Sequence, residues 1–419
     1  MSPTESFPFR MPSARILIIT SGHPCRNPRP VKEATTLAQA GYDVTLLHVR
    51  NHPPSLAADA ALLKNAPYRT QAIDLLNKTL GGRLRSWRLR SATKISRSLN
   101  QFGLHLPQSL GLALPLLAAA KKLPADLTIV HNEAPHWVGT RLLALNRRVA
   151  ADIEDWHSED LLPHDRVQRP LGLLRRVEKT LLHFAAYTST TSQALADALL
   201  ERYGGRRPGV ISNSFPLQPL TKRPPNDPPA LFWFSQTLGP GRGLDEFISA
   251  WGKTHQPSRL VLLGTPSPGY VCHLLNLLPP ERRATVSFLP LIHPDDLPAL
   301  IAQHDIGLAL EQSTILSRDL TITNKILQYL NAGLGIVATL TTGQCEVLKH
   351  ASNAGLLVNL HQTEAVTRQL DELLGDSARL QSMRDHARAA AEHQYSWERE
   401  APKLLALVES ALATRPLRL

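Results

Sequence analysis

Short apolar runs alternate along the chain with longer segments in which apolar residues recur every three or four positions. The runs RILIIT (15–20), DVTLLHV (43–49), DLTIVH (126–131), VAADIE (149–154), AAYTST (185–190) and GVISN (209–213) have the length of strands. A helix from Pro30 to Ala40, ended by Gly41, separates the first two. Runs that stay apolar at consecutive positions are those of strands buried on both faces, as in a parallel sheet covered by crossover helices. Residues 215–230, FPLQPLTKRPPNDPPA, hold six prolines in 16 positions and predict a linker, because proline removes backbone donors and breaks helices and central strands. The alternation then restarts with LFWFSQ (231–236), RLVLLG (259–264), TVSFLP (285–290), DIGLAL (305–310), LGIVAT (334–339) and GLLVN (355–359). Helices fit between them near 243–252, 295–303, 323–332 and 343–350, and the chain from Glu364 reads as helical with a break at Tyr395-Ser396.

The expected fold is therefore α/β, with two doubly wound, Rossmann-like domains. The first spans 1–214, the linker 215–230 and the second 231–395, with a closing helix and tail over 396–419. Two such domains facing each other place a cleft at the carboxyl ends of both sheets, where ligands bind.

Composition narrows the class. With 43% hydrophobic and 19% charged residues among 419, the chain is an ordinary globular protein and not a disordered or collagenous one. Cys25, Cys272 and Cys345 include no Cys-x-x-Cys pair, which excludes a disulfide framework and fits a reducing, cytoplasmic setting. The first 14 residues are polar and Pro-containing, unlike a secretory leader, and the apolar stretch Leu110–Ala120 is too short to span a membrane.

The net charge of +11 is unevenly placed. Residues 1–215 carry 28 Lys/Arg against 16 Asp/Glu, whereas 216–419 carry 18 against 19. Within 75–125 there are nine basic residues and no acid, densest in GRLRSWRLRSATKISR (82–97), where Leu84, Trp87, Leu89 and Ile95 are interleaved. One reading is a solvated helix face. The sharper one is a surface over 78–97 for anionic lipid headgroups, which would make the protein peripheral on the inner face of a membrane. No nucleic-acid-binding motif accompanies the patch.

Two stretches of the second half carry chemistry. GPGRG (239–243) lies between a strand and the helix LDEFISAW, where backbone N–H groups, the positive end of the helix dipole and Arg242 suit a diphosphate; a plain Gly/Pro turn is the alternative. In TNKILQYLNAG (323–333), Thr323 can cap a helix, Gly333 ends it, and Lys325 lies in the first turn, where a cation opposes the dipole and is tolerated if an anion binds there; a plain surface Lys is the alternative. Gln328 falls one turn on, on roughly the face of Asn324 and Lys325.

With these residues the second half resembles the donor domain of the retaining glycosyltransferases of the family 4 type (glycosyl transferases group 1), which have the two-domain GT-B fold. NKILQYLNAGLGIVAT (324–339) is similar to the family's "NK..EY...G.pVva", TTGQCEVL (341–348) to its "..G..E.i", GLLV (355–358) to its "G.Gllv", and YSWERE (395–400) to the opening of the closing helix that crosses back to the first domain. The stretch 285–310 resembles the family's cleft loop, helix and "aDi.l.l" strand. The first half matches more loosely: SGHPCRNPRPVKEATTLAQAGYDVTLL (21–47), with Gly22 in the first cleft loop, resembles the family's opening, and DLTIVHNE (126–133) its "D.vh.H" strand.

The resemblance implies a glycosyltransferase moving a sugar from a nucleotide-diphosphate sugar to a saccharide or lipid-linked acceptor, with retention and without metal, in surface polysaccharide or glycoconjugate synthesis. It implies His131, Arg242 and Lys325 as catalytic, with Arg242 and Lys325 on the leaving diphosphate and His131 orienting the sugar; a satisfied core histidine is the alternative. Gly22, Gln236, Gly241, Gly243, Glu311, Asn324 and Gln328 would hold the donor. The sequence departs from the family at Gln236, where an Arg is expected, and at Leu320 and Gln328, which stand in its Glu-x7-Glu, so Asp319 or Glu311 is a substitute for the sugar contact. The acidic run Asp152, Glu154, Asp155, Glu159 and Asp160 reads as mostly solvated, with Asp155 or His157 available to an acceptor hydroxyl. A nucleotide-sugar epimerase and a catalytically inactive GT-B scaffold remain as alternatives.

Overall fold

Consecutive apolar runs make strands that need cover on both faces, and parallel strands need a crossover between each pair; both demands are met twice. The computed structural model describes residues 14–76, 79–219 and 223–414. The N-terminal segment read for a leader falls almost wholly outside them, and Lys78 of the basic patch wholly so. The first sheet contains β1 (Arg15–Ile19), β2 (Asp43–Arg50), β3 (Arg69–Asp74), β4 (Leu127–His131), β5 (Val149–Ile153), β6 (Thr188–Thr190) and β7 (Gly209–Val210), in the order β3-β2-β1-β4-β5-β6-β7. The second contains β8 (Ala230–Leu238), β9 (Arg259–Pro266), β10 (Val286–Leu289), β11 (Ile306–Ala309), β12 (Gly335–Thr339) and β13 (Gly355–Val358), in the order β10-β9-β8-β11-β12-β13. Strands β1 to β6 pair in parallel, as do β8 to β13.

The chain divides into two compact units, one of residues 1–190, 199–209 and 404–419, the other of 191–198 and 210–403. The closing helix Trp397–Ala413 is shared between them. In the first unit Leu17, Ile19, Leu47, Val49 and Val130 form one core, while Ile16, Ile18, Leu46 and Ile129 are buried on the opposite face of the strands. In the second, Leu231 and Trp233 enter one core and Phe232 the other, as the two-residue period of a doubly covered strand requires.

The order of each sheet reverses direction once, between β1 and β4 and between β8 and β11. Loops that leave adjacent strands in opposite directions open a crevice at the carboxyl edge there. Among the described strands, β3 is the one that the pattern did not predict. Its sequence, RTQAID, buries only Ile73, because it is an edge strand and has no second neighbour to demand an apolar row. Strand β8 runs past LFWFSQ to Leu238, with a register shift between Phe234 and Thr237 that puts Gln236 in an exposed bulge.

The position of β11 depends on Gly307. A Cβ there would stand 2.2 Å from Cγ of the buried Tyr329, whose hydroxyl donates to the Leu308 carbonyl at 3.2 Å. Gly307→Ala therefore forces the helix Asn324–Ala332 off β11 and is expected to cost about 1–3 kcal/mol. A lowered urea midpoint at unchanged slope is the expected result, and an unchanged midpoint refutes this packing argument.

Candidate functional site

The reversal in the second unit gathers the residues singled out for the donor. The loop after β8 turns through Gly241 and Gly243, both at φ 74°. Gly243 is required twice, because a Cβ would also lie 2.5 Å from the Leu310 carbonyl at the end of β11. That contact brings the Gly-Arg-Gly turn against the segment that carries Glu311. Arg242 is exposed, and its Nη1 donates to Ser235 Oγ at 3.0 Å. Desolvation first, and then the charge of Arg318, disfavour its guanidinium charge, and the more weakly felt Glu311 only partly offsets them. Arg318, in the short helix Leu316–Leu320, was not singled out from sequence; nothing in ILSRDL distinguishes it from a surface arginine.

Lys325 and Glu311, read separately from sequence, form one pair. Lys325 Nζ donates to Glu311 Oε1 at 2.6 Å and lies 5.6 Å from the centre of the Trp233 ring. The other Glu311 oxygen accepts from Gln344 Nε2, and Gln344 Oε1 accepts from Thr339 Oγ1 at 3.1 Å. Glu311 thus fixes a lysine, a glutamine and the end of β12. It also borders a pocket of about 240 Å³ lined by Thr339, Asn359 and His361 among others, at the ends of β11, β12 and β13.

Thr323 occupies the N-cap of the helix Asn324–Ala332, but its side chain makes no capping bond, contrary to the expectation, and its hydroxyl is buried without a partner. Gln328 Oε1 is buried and likewise unpartnered, a free acceptor one turn along from Asn324, which is exposed. Asp319 accepts from Thr342 N and Oγ1 at the start of the helix Thr342–His350, and Leu320 is buried.

The reversal in the first unit has a different character. Thr20 Oγ1 donates to Asn132 Oδ1 at 2.8 Å, tying the loop after β1 to the end of β4. Asn132 sits at φ 70°, ψ 170°, a conformation nearly confined to glycine that costs on the order of 1–3 kcal/mol. Gly22 lies in the same loop, its missing side chain directed at Asn27 Nδ2, 2.7 Å from an ideal Cβ.

His131, expected to meet the sugar, is 2% exposed and faces into the protein. Its Nε2 is 3.1 Å from Glu33 and its Nδ1 3.3 Å from Asp152. Arg29 donates to both oxygens of Asp152 at 2.6 Å, and Ser189 Oγ to one of them at 2.7 Å. The acidic run was therefore misread at Asp152 and Glu159, which are buried. Arg29 and Glu33 were missed, although their spacing of four in one helix places them on one face.

Burial opposes charge on His131, but Glu33 and Asp152 outweigh it and push the imidazole up to about 10. Burial likewise opposes the Asp152 carboxylate, and Arg29 and His131 hold it well below the usual carboxylate range. Glu33, His131 and Asp152 have the spacing of a metal-ligand set. Two carboxylates already face two cations there, so the donor set does not fit a further metal ion. A second set, Glu133, His157 and Asp160, is half-buried, and Arg169 bonds to Glu133 within it. Burial opposes the His157 charge, but Asp160 and then Glu133 raise it to about 8.

Residues 228–376 match the family model described as glycosyl transferases group 1, and residues 31–218 match that of Glycosyltransferase Family 4. Spore coat protein SA of Bacillus subtilis (strain 168) is 24% identical over 140 residues, 33% of this chain. The matched stretch spans 36% of that relative's length. Among solved structures, HepE of Anabaena in complex with UDP and glucose superposes with a TM-score of 0.67 at 18% identity, over 95% of this chain and 100% of that one. Sucrose-phosphate synthase from Thermosynechococcus elongatus gives 0.66 at 17%, over 96% and 99%. These likenesses are of fold, the two-domain GT-B architecture.

The buried cluster has a pH signature. A His raised from its usual value of roughly 6.5 to about 10 contributes stability that is complete below the lower value and lost as pH rises through the upper one. Urea unfolding of the wild type and His131→Gln is expected to differ most at or below about pH 6.5, to narrow through neutral pH, and to converge as pH approaches the upper value. A gap that stays constant with pH would mean that His131 is not cationic.

Proposed function

We propose a function for a chain that belongs to the glycosyltransferases of the group 1 and family 4 type: transfer of a sugar from a nucleotide-diphosphate sugar to a saccharide or lipid-linked acceptor. The observation that carries it is the collection of Arg242, Lys325 and Arg318 around a glycine-built turn where the second sheet reverses direction. Such a site suits a group that gains negative charge as it leaves. The protein cations supply that stabilisation, so the reaction proceeds without metal.

In this scheme the bond from the anomeric carbon to the diphosphate oxygen breaks, and the electron pair stays on the diphosphate beside Arg242 and Lys325. The acceptor hydroxyl attacks from the same face, and its proton passes to the departing phosphate oxygen, giving retention. Glu311 holds the Lys325 ammonium in place through their 2.6 Å pair. The unpartnered Gln328 oxygen is available to a ribose hydroxyl, and the exposed Asn324 and the Gly241–Gly243 turn to the diphosphate. Gln236, in its bulge, contributes no charge, and Arg318, near Arg242, supplies a further cation to the site. His131 acts here as a positioning residue that fixes the end of β4 and, through it, Asn132.

The acceptor belongs to the carboxyl edge of the first sheet, where His157 and Glu133 are half-buried and able to bond hydroxyls. Surface polysaccharide or glycoconjugate assembly in the cytoplasm is the setting that suits such an acceptor. HepE binds UDP-glucose, which makes a UDP-sugar the first donor to test.

Nucleotide release measured with a panel of UDP-, GDP- and ADP-sugars is expected to identify one donor. Arg242→Ala and Lys325→Ala should each lower turnover roughly 10²–10³-fold. Turnover should survive a chelator, and NMR of the product should find the donor's anomeric configuration. Unchanged turnover in both variants would displace the donor site, and no turnover with any donor would favour the inactive scaffold.

A further inference from the structure

The helix Leu80–Asn100 is built inside out. It is anchored by Thr79, whose side chain accepts from Gly82 N at 3.2 Å. Its protein-facing side is mainly polar: Ser86, Ser96 and Asn100 are buried, with the large apolar Leu89 and Leu99 half-buried among them. Ser86 Oγ donates to the Leu75 carbonyl at 3.0 Å and Asn100 Nδ2 to the Gln168 carbonyl at 2.7 Å. The outward side carries the large apolar residues, with Trp87 64%, Ile95 62% and Leu84 48% exposed. Phe102, just past the last turn on the same side as Leu84 and Ile95, is 72% exposed. A helix whose final surroundings are water on one side and protein on the other has the opposite arrangement.

The charges follow the same geometry. Residues 83, 87, 90, 94 and 97 recur at spacings of three and four, so Arg83, Arg90, Lys94 and Arg97 share a stripe with Trp87. All four of these cations are exposed. Residues 84, 95 and 102 fall beside that stripe, and Arg88 beyond it. No acidic residue occurs anywhere in 75–125. An apolar strip bordered by cations matches a two-phase surface, with apolar side chains below the headgroups and guanidinium groups at the phosphates. An acidic protein would answer the charge alone. Among the described residues no helix is long and apolar enough to cross a membrane, so the contact is one of lying on the surface.

We infer that the helix Leu80–Asn100 docks the protein onto anionic bilayers by lying in the headgroup layer and inserting Leu84, Trp87 and Ile95. This goes beyond the transferase reading and shares no residue with its donor site, so either can fail without the other.

The test uses the full chain with phosphatidylcholine vesicles and with phosphatidylcholine/phosphatidylglycerol vesicles. Of the six tryptophans, Trp137, Trp156, Trp233, Trp251 and Trp397 are buried, so a change in emission on binding reports Trp87. Co-sedimentation is expected with the anionic vesicles, together with a blue shift and protection from acrylamide quenching. Trp87→Phe should still bind but lose the shift. The triple variant Arg83→Gln, Arg90→Gln, Lys94→Gln, with an unchanged circular dichroism spectrum, should bind on the order of 100-fold more weakly, each charge contributing roughly 5-fold. Three results would overturn the inference: no binding to anionic vesicles at low salt, binding with Trp87 emission unchanged, or a folded triple variant that binds like the wild type. The first would leave an acidic protein as the partner.

Discussion

The carboxyl edge of the first unit rests on one ion pair, the double hydrogen bond from Arg29 to Asp152. Both side chains are cut off from water, and a buried charge is tolerated only when it is matched and its remaining lone pairs are used. Meeting that condition recruits four elements. The helix Pro28–Gln39 supplies Arg29 and Glu33, β4 supplies His131, β5 Asp152 and β6 Ser189. The strands and helix cannot shift independently without leaving a charge unpaired. The strained Asn132, next to His131, is held by the same constraint and in turn holds the loop after β1 through Thr20.

The second unit repeats the topology with a different solution at its reversal point. Close approach is achieved sterically, by Gly243 against the end of β11 and by Gly307 beneath Tyr329. Only one acid, Glu311, is brought to face Lys325, and Arg242 and Arg318 are left without a carboxylate of their own among the bonds described. Buried charge is placed instead at the other end of the sheet. There Asp305 accepts from Ala230 N and from Arg223, and so fixes the entry of the chain into β8. One edge is therefore neutralised within itself, and the other keeps a cationic surplus that an anionic ligand can answer.

The apolar runs, the Pro-rich segment and the glycines were enough to place twelve of the strands, the linker and the two-domain α/β architecture. A strand buried on both faces has few sequence alternatives, and proline and glycine restrict the backbone whatever surrounds them. The exception, β3, is an edge strand freed from that demand. The asymmetry of charge was legible too, because counting needs no geometry.

Which charged residues meet was decided by the tertiary structure alone. Asp152 and Asp155 look alike in DIEDWHSED, yet the first is buried against Arg29, 123 positions away, and the second is exposed. Glu311 and Lys325 were each recognisable, but not as a pair, and the direction in which Trp87 and Ile95 face was hidden behind an ordinary amphipathic spacing. Local sequence sets backbone preference and periodicity through short-range sterics. The environment of a side chain is set by partners distant in the chain, and desolvation and Coulomb energy, on which charge and accessibility depend, exist only once those partners are in place.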